Sequence, residues 1–488
     1  MDDKYSATIG LEIHAELKTQ TKMFCNSKND TDEKRPNVNI CPICLGYPGT
    51  LPTINKEAVK HVIKVGIALG GEISDYTEFD RKNYFYPDIP KGYQISQYKF
   101  PLVKGGELNG IKITRVHLEE DTARSIHNEQ GTINNGYSLI DFNRAGIPLM
   151  ELVTEPVIKS AKEASDFAKE LQLLLQYLGA SNANMEKGEM RVEANVSVKH
   201  ESGIMNQELG TKVEIKNLNS FRAVDRAIEY EIERHVGLLE NGQQIVQETR
   251  GWDEVKEETF SQRAKEESHD YRYFPDPDLP KLRISEIPDL TPAHLKTHMP
   301  EMPWQKRTHY IENLKIKPED AEVYVRNRNW GNYFEKVVSS FGLDTSKIQT
   351  SSNYITSDLA GLVKNDKDSG FENIDLSSKI PSENFSKLME MVMDGKISSR
   401  GAKDLLGLMY GNNEDPGVLA DKHSLLQKSD EGELTKIAEE IIKNNPNVIA
   451  DYKAGKESAL QYLIGQGMKV TKGSVNPEVL KNIFQKII

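Results

Sequence analysis

The first half of the chain is patterned by a two-residue alternation. In TIGLEIHAEL, Ile9, Leu11, Ile13, Ala15 and Leu17 share one side, and Gly10, Glu12, His14 and Glu16 share the other. This is the signature of a strand, whose successive side chains point to opposite faces. EMRVEANVSVK repeats the design, with Met190, Val192, Ala194, Val196 and Val198 opposite Arg191, Glu193, Asn195, Ser197 and Lys199. TKVEIKN sets Val213 and Ile215 against Lys212, Glu214 and Lys216. One apolar and one polar face per strand predicts a mostly antiparallel sheet with one side covered.

Helical spacing interrupts these strands. Asn55 caps an expected helix that buries Ala58, Val59, Val62, Ile63 and Ile67. Ser160 and Glu163 have capping-box spacing ahead of a stripe of Ala164, Phe167, Leu171, Leu174, Leu175 and Leu178, and Gly179 supplies a stop. Strands and helices mix without strict alternation, so the fold class is α+β. Residues 275–303 are rich in proline and read as a linker. Beyond them the pattern is almost entirely helical. Leu434, Ile437, Ala438, Ile441 and Ile442 form one stripe, Ala459, Leu460, Leu463 and Ile464 another, and Asn476–Pro477 opens a last helix. GNNEDPG at 411–417 divides this half. The expected domains are therefore 1–293, 294–410 and 411–488.

Composition narrows the class. A chain of 488 residues can bury a substantial core. No apolar stretch is long enough to span a bilayer, and MDDKYSATIG lacks a basic region followed by an apolar one, so a cytoplasmic, membrane-free protein is expected. Three cysteines, an odd number, argue against a disulfide framework. The net charge of −12 does not suggest a nucleic-acid partner, but from Lys453 onward six lysines face only two carboxylates, and that end suits phosphates as well as it suits solvated helix faces.

The candidate chemistry lies on the polar strand faces. Glu12 and His14 share one face, ITRVHLEED adds His117, Glu119, Glu120 and Asp121, and Glu151, Glu193 and Glu214 complete the set. Carboxylates gathered with an imidazole call for a cation, and oxygen-rich ligands with one imidazole suit Mg²⁺ or Mn²⁺. Arg81, Lys82, Lys212 and Lys216 are nearby cations that could hold phosphate oxygens. The competing reading is a solvated, ion-paired sheet face. No Walker loop, dinucleotide fingerprint or H-E-x-x-H motif is present. Cys41-Pro-Ile-Cys44 has zinc-knuckle spacing, with Cys25 as a third sulfur and no fourth. Zinc and reduced thiols both remain open readings.

Specific motifs occur in a fixed order. They are IGLEIHAELKT (9–19), CPICLGYPGTLP (41–52), FDRKNYFYPDIPKGYQISQ (79–97), HLEEDTAR (117–124), DFNRAGIPLMELVTEP (141–156), GTKVEIKNLNSF (210–221), QETRGW (247–252), HDYRYFPDPDLP (269–280) and GQGMKVTKGSVNP (465–477). From about residue 8 onward the chain resembles the B-subunit family of the GatCAB tRNA-dependent amidotransferases. The resemblance implies a cradle-shaped catalytic domain, a helical domain and a tail domain, the last two gripping tRNA. It implies ATP-dependent phosphorylation of the side-chain carboxylate of Glu-tRNA(Gln) or Asp-tRNA(Asn). Ammonia from an amidase partner then attacks, and a third, small polypeptide bridges the pair in a heterotrimer. It implies Mg²⁺ held by His14, Glu120 and Glu151, with Glu12, Lys212 and Glu214 beside them as catalytic groups. Strict alternation would instead place Glu119 with His117; the resemblance favours Glu120. Zinc-binding relatives carry a second cysteine two residues after the first, where this chain has Ser27. Three rivals stand beside this reading: an archaeal Glu-specific subunit, a non-catalytic tRNA-binding scaffold and a free-standing metal-dependent kinase.

Overall fold

The structure, a computed structural model, describes residues 4–128, 137–201, 209–264, 271–366, 370, 374–427, 431–471 and 475–488. His269 and Asp270 of one quoted motif, and residues 472–474 of another, lie outside these. The chain forms two compact units, Met1–Met302 and Pro303–Ile488.

The first unit is organised around a ten-stranded sheet. Its principal strands are β1 (Tyr5–Glu16), β4 (Ile111–Glu120), β5 (Pro148–Thr154), β6 (Met190–His200), β7 (Val213–Leu218), β8 (Glu248–Asp253) and β9 (Glu258–Ala264). Two further strands, β2 (Asp80–Asn83) and β3 (Tyr93–Ser96), belong to a small sheet beside it. The main order is β9-β8-β7-β6-β1-β5-β4, continued by Val103–Lys104 and Glu72–Ile73. Neighbours are antiparallel except β7 and β8. That pair is parallel because a long helix, α3 (Phe221–Glu240), carries the chain back between them.

The alternation seen in the sequence decides what is buried. Ile9, Leu11, Ile13 and Ala15 of β1 and Val192, Ala194, Val196 and Val198 of β6 are all buried. They lie beneath α2 (Ala161–Tyr177) and α3, which also pack on one another. Both helices start where a serine ends the preceding loop: Ser160 Oγ accepts the Glu163 amide and Ser220 Oγ the Ala223 amide. The Glu163 carboxylate reaches back to the Lys159 amide, one residue beyond a strict capping box. Gly179 ends α2 with φ +63°. Asn55 caps α1 (Lys56–Ala68) as expected, accepting the Glu57 and Ala58 amides.

Residues 275–302 are not a free linker. Phe274–Pro275 pairs with β2, Leu282–Arg283 pairs with Tyr76–Thr77, and Ile284, Leu290 and Leu295 are buried. Proline suits this segment because it makes short turns between anchored points. The break between units falls at Met302–Pro303, whereas position 293 lies inside the short helix Pro292–Lys296, which packs on α1.

The second unit is helical. Helix Pro416–Lys422 packs back on Ser382–Met393 and Ser399–Met409, and the Gln427 amide bonds the Lys396 carbonyl at 2.8 Å. The segment after position 411 therefore continues this bundle. A separate core, including Leu434, Ala438, Leu463, Leu480 and Phe484, joins the helices after residue 430. Asn476 caps the last of them by accepting the Glu478 amide, with Pro477 in its first turn.

Candidate active site

The sheet face turned away from α2 and α3 carries the polar residues in transverse rows. Strand register aligns His117 of β4, Glu151 of β5, His14 of β1 and Arg191 of β6 side by side. A second row places Arg115, Val153, Glu12 and Glu193 in order. Neighbours in such rows are close enough for their side chains to meet.

They do meet around His14. Its Nε2 lies 3.5 Å from Glu119 Oε1, 3.6 Å from Glu151 Oε2 and 3.9 Å from Glu12 Oε1. His117 Nε2 lies 3.2 Å from Glu151 Oε2, and a guanidinium nitrogen of Arg115 lies 3.4 Å from Glu151 Oε1. Among the described residues two oxygen-and-imidazole sets form here, Glu12–His14–Glu151 and His117–Glu119–Glu151. They share Glu151.

The carboxylates and imidazoles shift one another's charges. Burial, with repulsion from Glu151, pushes Glu12 up to about 7. Burial and the same repulsion raise Glu119. Burial disfavours a charged His14, yet Glu151, Glu119 and Glu12 outweigh it and lift the imidazole to about 9. Burial opposes ionisation of Glu151 too, but His117 and His14 hold it well below the usual carboxylate range. Protons partly stand in for a cation in this arrangement. A hard divalent ion takes this donor set naturally, since octahedral ligands at about 2.1 Å lie about 3 Å apart. Mg²⁺ fits the residues present.

Glu120, expected among the ligands, is not in the cluster. Its backbone lies at the end of β4, and alternation turns its carboxylate to the other side of the strand. There Oε1 accepts the Ile95 amide at 2.9 Å and pairs with the Lys91 ammonium. Glu119 takes the place beside His14, and Ser96 Oγ donates to its second oxygen at 3.2 Å. Strand alternation places Glu119 beside His117, and the structure does the same.

The expected cations divide. Lys82 feels the cluster: burial lowers its pKa, but Glu119, Tyr273, Tyr84 and Glu151 more than reverse this and raise it. Its ammonium lies 4.8 Å from the Tyr271 ring and 5.8 Å from that of Tyr84. Lys216 Nζ lies 2.7 Å from Glu193 and 4.0 Å from Glu214, whose other oxygen accepts the Thr249 hydroxyl at 2.7 Å. Lys212 is exposed just before β7. Arg81 is not brought to the cluster. It bonds Asp276 at 2.7 Å and Asp278 at 2.9 Å and stacks 4.2 Å over Tyr93, so it ties the PDPD turn to β2. Tyr84 and Tyr271, which flank Lys82, were missed as site residues in the sequence. Their only signal was membership of the FDRKNYFYPDIPKGYQISQ and HDYRYFPDPDLP motifs.

The three cysteines converge. One sulfur from each of Cys25, Cys41 and Cys44 lies within 4.8 Å of the others. The neighbour where a fourth sulfur would stand is Ser27, whose Oγ is 3.9 Å from Cys44 Sγ. Lys22, completely buried, donates from Nζ to the Phe142 carbonyl at 3.2 Å; burial lowers its pKa, and the nearby sulfurs oppose this. A four-sulfur zinc site does not fit this set.

Comparison with known proteins accords with the geometry. The family model described as "GatB/GatE catalytic domain" matches residues 7–287, and "GatB domain" matches residues 332–488. A protein of Gloeothece citriformis, named as the B subunit of an aspartyl/glutamyl-tRNA(Asn/Gln) amidotransferase, is 41% identical, covering 99% of this chain and 97% of the relative. Proteins of the same name from Persephonella marina and Carboxydothermus hydrogenoformans are each 41% identical over 99% of this chain, covering 100% and 98% of their own lengths. Among the described residues no helix is long and apolar enough to cross a membrane. A sheet face built around His14, Glu119 and Glu151 and a match running nearly end to end lead to one statement: the chain belongs to the family of aspartyl/glutamyl-tRNA(Asn/Gln) amidotransferase B subunits.

Proposed function

We propose that this chain activates the side-chain carboxylate of glutamate on tRNA(Gln), aspartate on tRNA(Asn), or both, by ATP-dependent phosphorylation, so that ammonia can amidate it. The observation that carries this reading is the row His117–Glu151–His14 with Glu119 against it. In the reaction a carboxylate oxygen attacks the γ-phosphorus of ATP and the bond to ADP breaks. Ammonia then attacks the acyl carbon, phosphate leaves, and the nitrogen sheds a proton. The attacking carboxylate is already ionised at neutral pH, so the protein's task is positioning and charge neutralisation.

His14, Glu119 and Glu151, with Glu12 and His117 at hand, would hold Mg²⁺, which would neutralise phosphate charge. Lys82, held by the Tyr84 and Tyr271 rings, adds a second positive charge that the cluster's carboxylates favour. Lys216 keeps Glu193 and Glu214 paired and so limits the negative charge at the edge of the site. An amidase subunit supplying ammonia and a small bridging subunit are the proposed partners, and the helices after residue 430 are the proposed tRNA grip. Location in the cytoplasm follows from this role in translation.

A non-catalytic scaffold does not account for carboxylates and imidazoles assembled from three neighbouring strands. The Glu-specific archaeal reading is disfavoured by the matches that span whole B subunits. The test is to co-purify the chain with an amidase and a small bridging subunit, then assay ATP cleavage and amidation on both mischarged tRNAs. Cleavage of ATP only when mischarged tRNA is present is expected. ATP cleavage indifferent to tRNA would sink the reading and favour a small-molecule kinase.

A further inference from the structure

We propose that Cys41 and Cys44 form a peroxide-sensitive thiol pair whose closure to a disulfide shuts down the neighbouring reaction centre. Their sulfurs are 3.8 Å apart, and Cys44 Sγ also accepts the Cys41 amide at 3.1 Å. Lys22 is completely buried, its side chain and that of Cys44 both packing on Gly146, and no fourth cysteine completes a metal cage. A buried ammonium beside a thiol stabilises the thiolate, which is the reactive form. Cys41 is partly exposed, while Cys44 is buried beside Lys91, Glu120 and Gly146, so the pair meets solvent from the Cys41 side.

The chemistry balances with hydrogen peroxide as oxidant. The Cys44 thiolate attacks one peroxide oxygen, the O–O bond breaks, and hydroxide leaves and takes up the proton that the Cys44 thiol gave to solvent, giving a sulfenic acid and one water. The Cys41 sulfur attacks Cys44, the S–O bond breaks, and the departing oxygen leaves as water with the Cys41 proton. Two thiols are oxidised by two electrons in all, and one peroxide is reduced to two waters.

The consequence reaches the site through Gly46. The turn that starts at Cys41 is closed by the Leu45 amide on the Cys41 carbonyl and the Gly46 amide on that of Ile43. Gly46, at φ +67°, sits so close to Lys91 that an added Cβ would lie 3.1 Å from the Lys91 nitrogen and Cα. Lys91 in turn pairs with Glu120 at the end of β4, one residue beyond Glu119. Drawing Cys41 and Cys44 together to bond length tightens this turn. That shifts its support of Lys91, and with it the end of β4.

The activity arm of this inference rests on the function proposed above; the sulfur chemistry does not. The full chain is treated with hydrogen peroxide, alkylated and mapped by mass spectrometry without reduction. A Cys41–Cys44 cross-link, with the loss of two hydrogen masses, is expected. In the assembled complex, tRNA-dependent amidation should be lost with peroxide and restored by dithiothreitol. Cys41→Ser should keep its activity through the same treatment, and Cys41→Ala serves if the serine variant folds poorly. Thiols that stay fully alkylatable after peroxide, or stoichiometric zinc in the purified chain, would overturn the proposal. A disulfide that forms without loss of activity would overturn its regulatory half.

Discussion

Glu119 and Glu120 are consecutive in the chain and serve opposite sides of β4. Glu119 Oε1 lies 3.5 Å from His14 Nε2, whereas Glu120 accepts the Ile95 amide at 2.9 Å and pairs with Lys91. The two carboxylates therefore have separable roles. Removing the Glu119 charge with Glu119→Gln should lower tRNA-dependent ATP cleavage by about 10²-fold or more, the scale of losing one electrostatic contact to developing charge. Glu120→Gln should leave Mn²⁺ affinity, read by electron paramagnetic resonance, at the wild-type value. Metal affinity lost in Glu120→Gln and kept in Glu119→Gln would reverse the assignment.

The raised pKa of His14 gives metal binding a defined pH dependence. Only the neutral imidazole can ligate, so each bound ion displaces a proton below about 9. Between about pH 7, where Glu12 ionises, and the His14 pKa of about 9, Mg²⁺ affinity should rise by about tenfold per pH unit as one proton is released, and it should level off above. In metal-free protein the sign reverses for stability. The protonated imidazole stabilises the fold fully below its ordinary value of 6.5, and that contribution is lost as pH rises through about 9. Calorimetric titrations in two buffers of different ionisation heat measure the proton release, and affinity that does not change between these pH values would refute it.

Away from the site, Glu231 is fully buried between α3 and the outer strands. Its oxygens meet His235 Nε2 at 3.0 Å, the Thr259 hydroxyl at 2.8 Å and the Arg234 guanidinium. Burial favours the protonated form, but His235 and Arg234 outweigh it and hold the carboxyl at about 2. A depressed carboxyl stabilises the fold above its unfolded value of 4.5 and loses that contribution as pH falls through about 2. At about 1.4 kcal/mol per pKa unit, the contribution is on the order of 3 kcal/mol. Urea unfolding should therefore show the wild type losing stability over this acid window and Glu231→Gln losing much less. Parallel acid curves for the two proteins would remove Glu231 from the explanation.

The packing after position 411 makes a prediction about truncation. Leu419 and Ala420 are buried in the bundle that holds Ser382–Met393, and Lys387 pairs with Asp415 at 2.8 Å. A chain ending at residue 430 should melt like the remainder of the full protein while binding mischarged tRNA far more weakly. A chain ending at 410 should lose helical stability as well. Equal melting of the two truncations, or unchanged tRNA affinity in the longer one, would contradict this division.

Within the last core, Phe484 is fully buried among Leu434, Leu463 and Leu480. Phe484→Ala should cost about 3–5 kcal/mol, the range for a large side chain deleted from a packed core. Hydrogen exchange should show the loss confined to residues after 430, with β1, β5 and β6 protected as before. Exchange spread through the sheet would mean that the two cores are coupled.

Much of this protein was determined along the chain itself. Alternation in 9–17, 190–199 and 212–216 sets strands with one apolar face, and apolar residues spaced for one helical face set α2 and the late helices, because local periodicity decides which side a residue can bury. Caps at Asn55, Ser160 and Asn476 were equally local, since each side-chain oxygen meets amides two or three residues away. The motif order was likewise enough to indicate the family.

Tertiary structure alone decided which polar residues meet. The row His117–Glu151–His14–Arg191 exists because four strands distant in sequence pair in one register, and register depends on the assembled sheet. The same assembly gave Arg81 to Asp276 and Asp278, 195 and 197 residues away, where composition suggested a phosphate contact. It also turned a proline-rich stretch into an anchored part of the first unit, because Ile284, Leu290 and Leu295 are buried only once that unit has folded. Local patterns record which faces are apolar; which charges become neighbours is settled by chain segments that come together only in the fold.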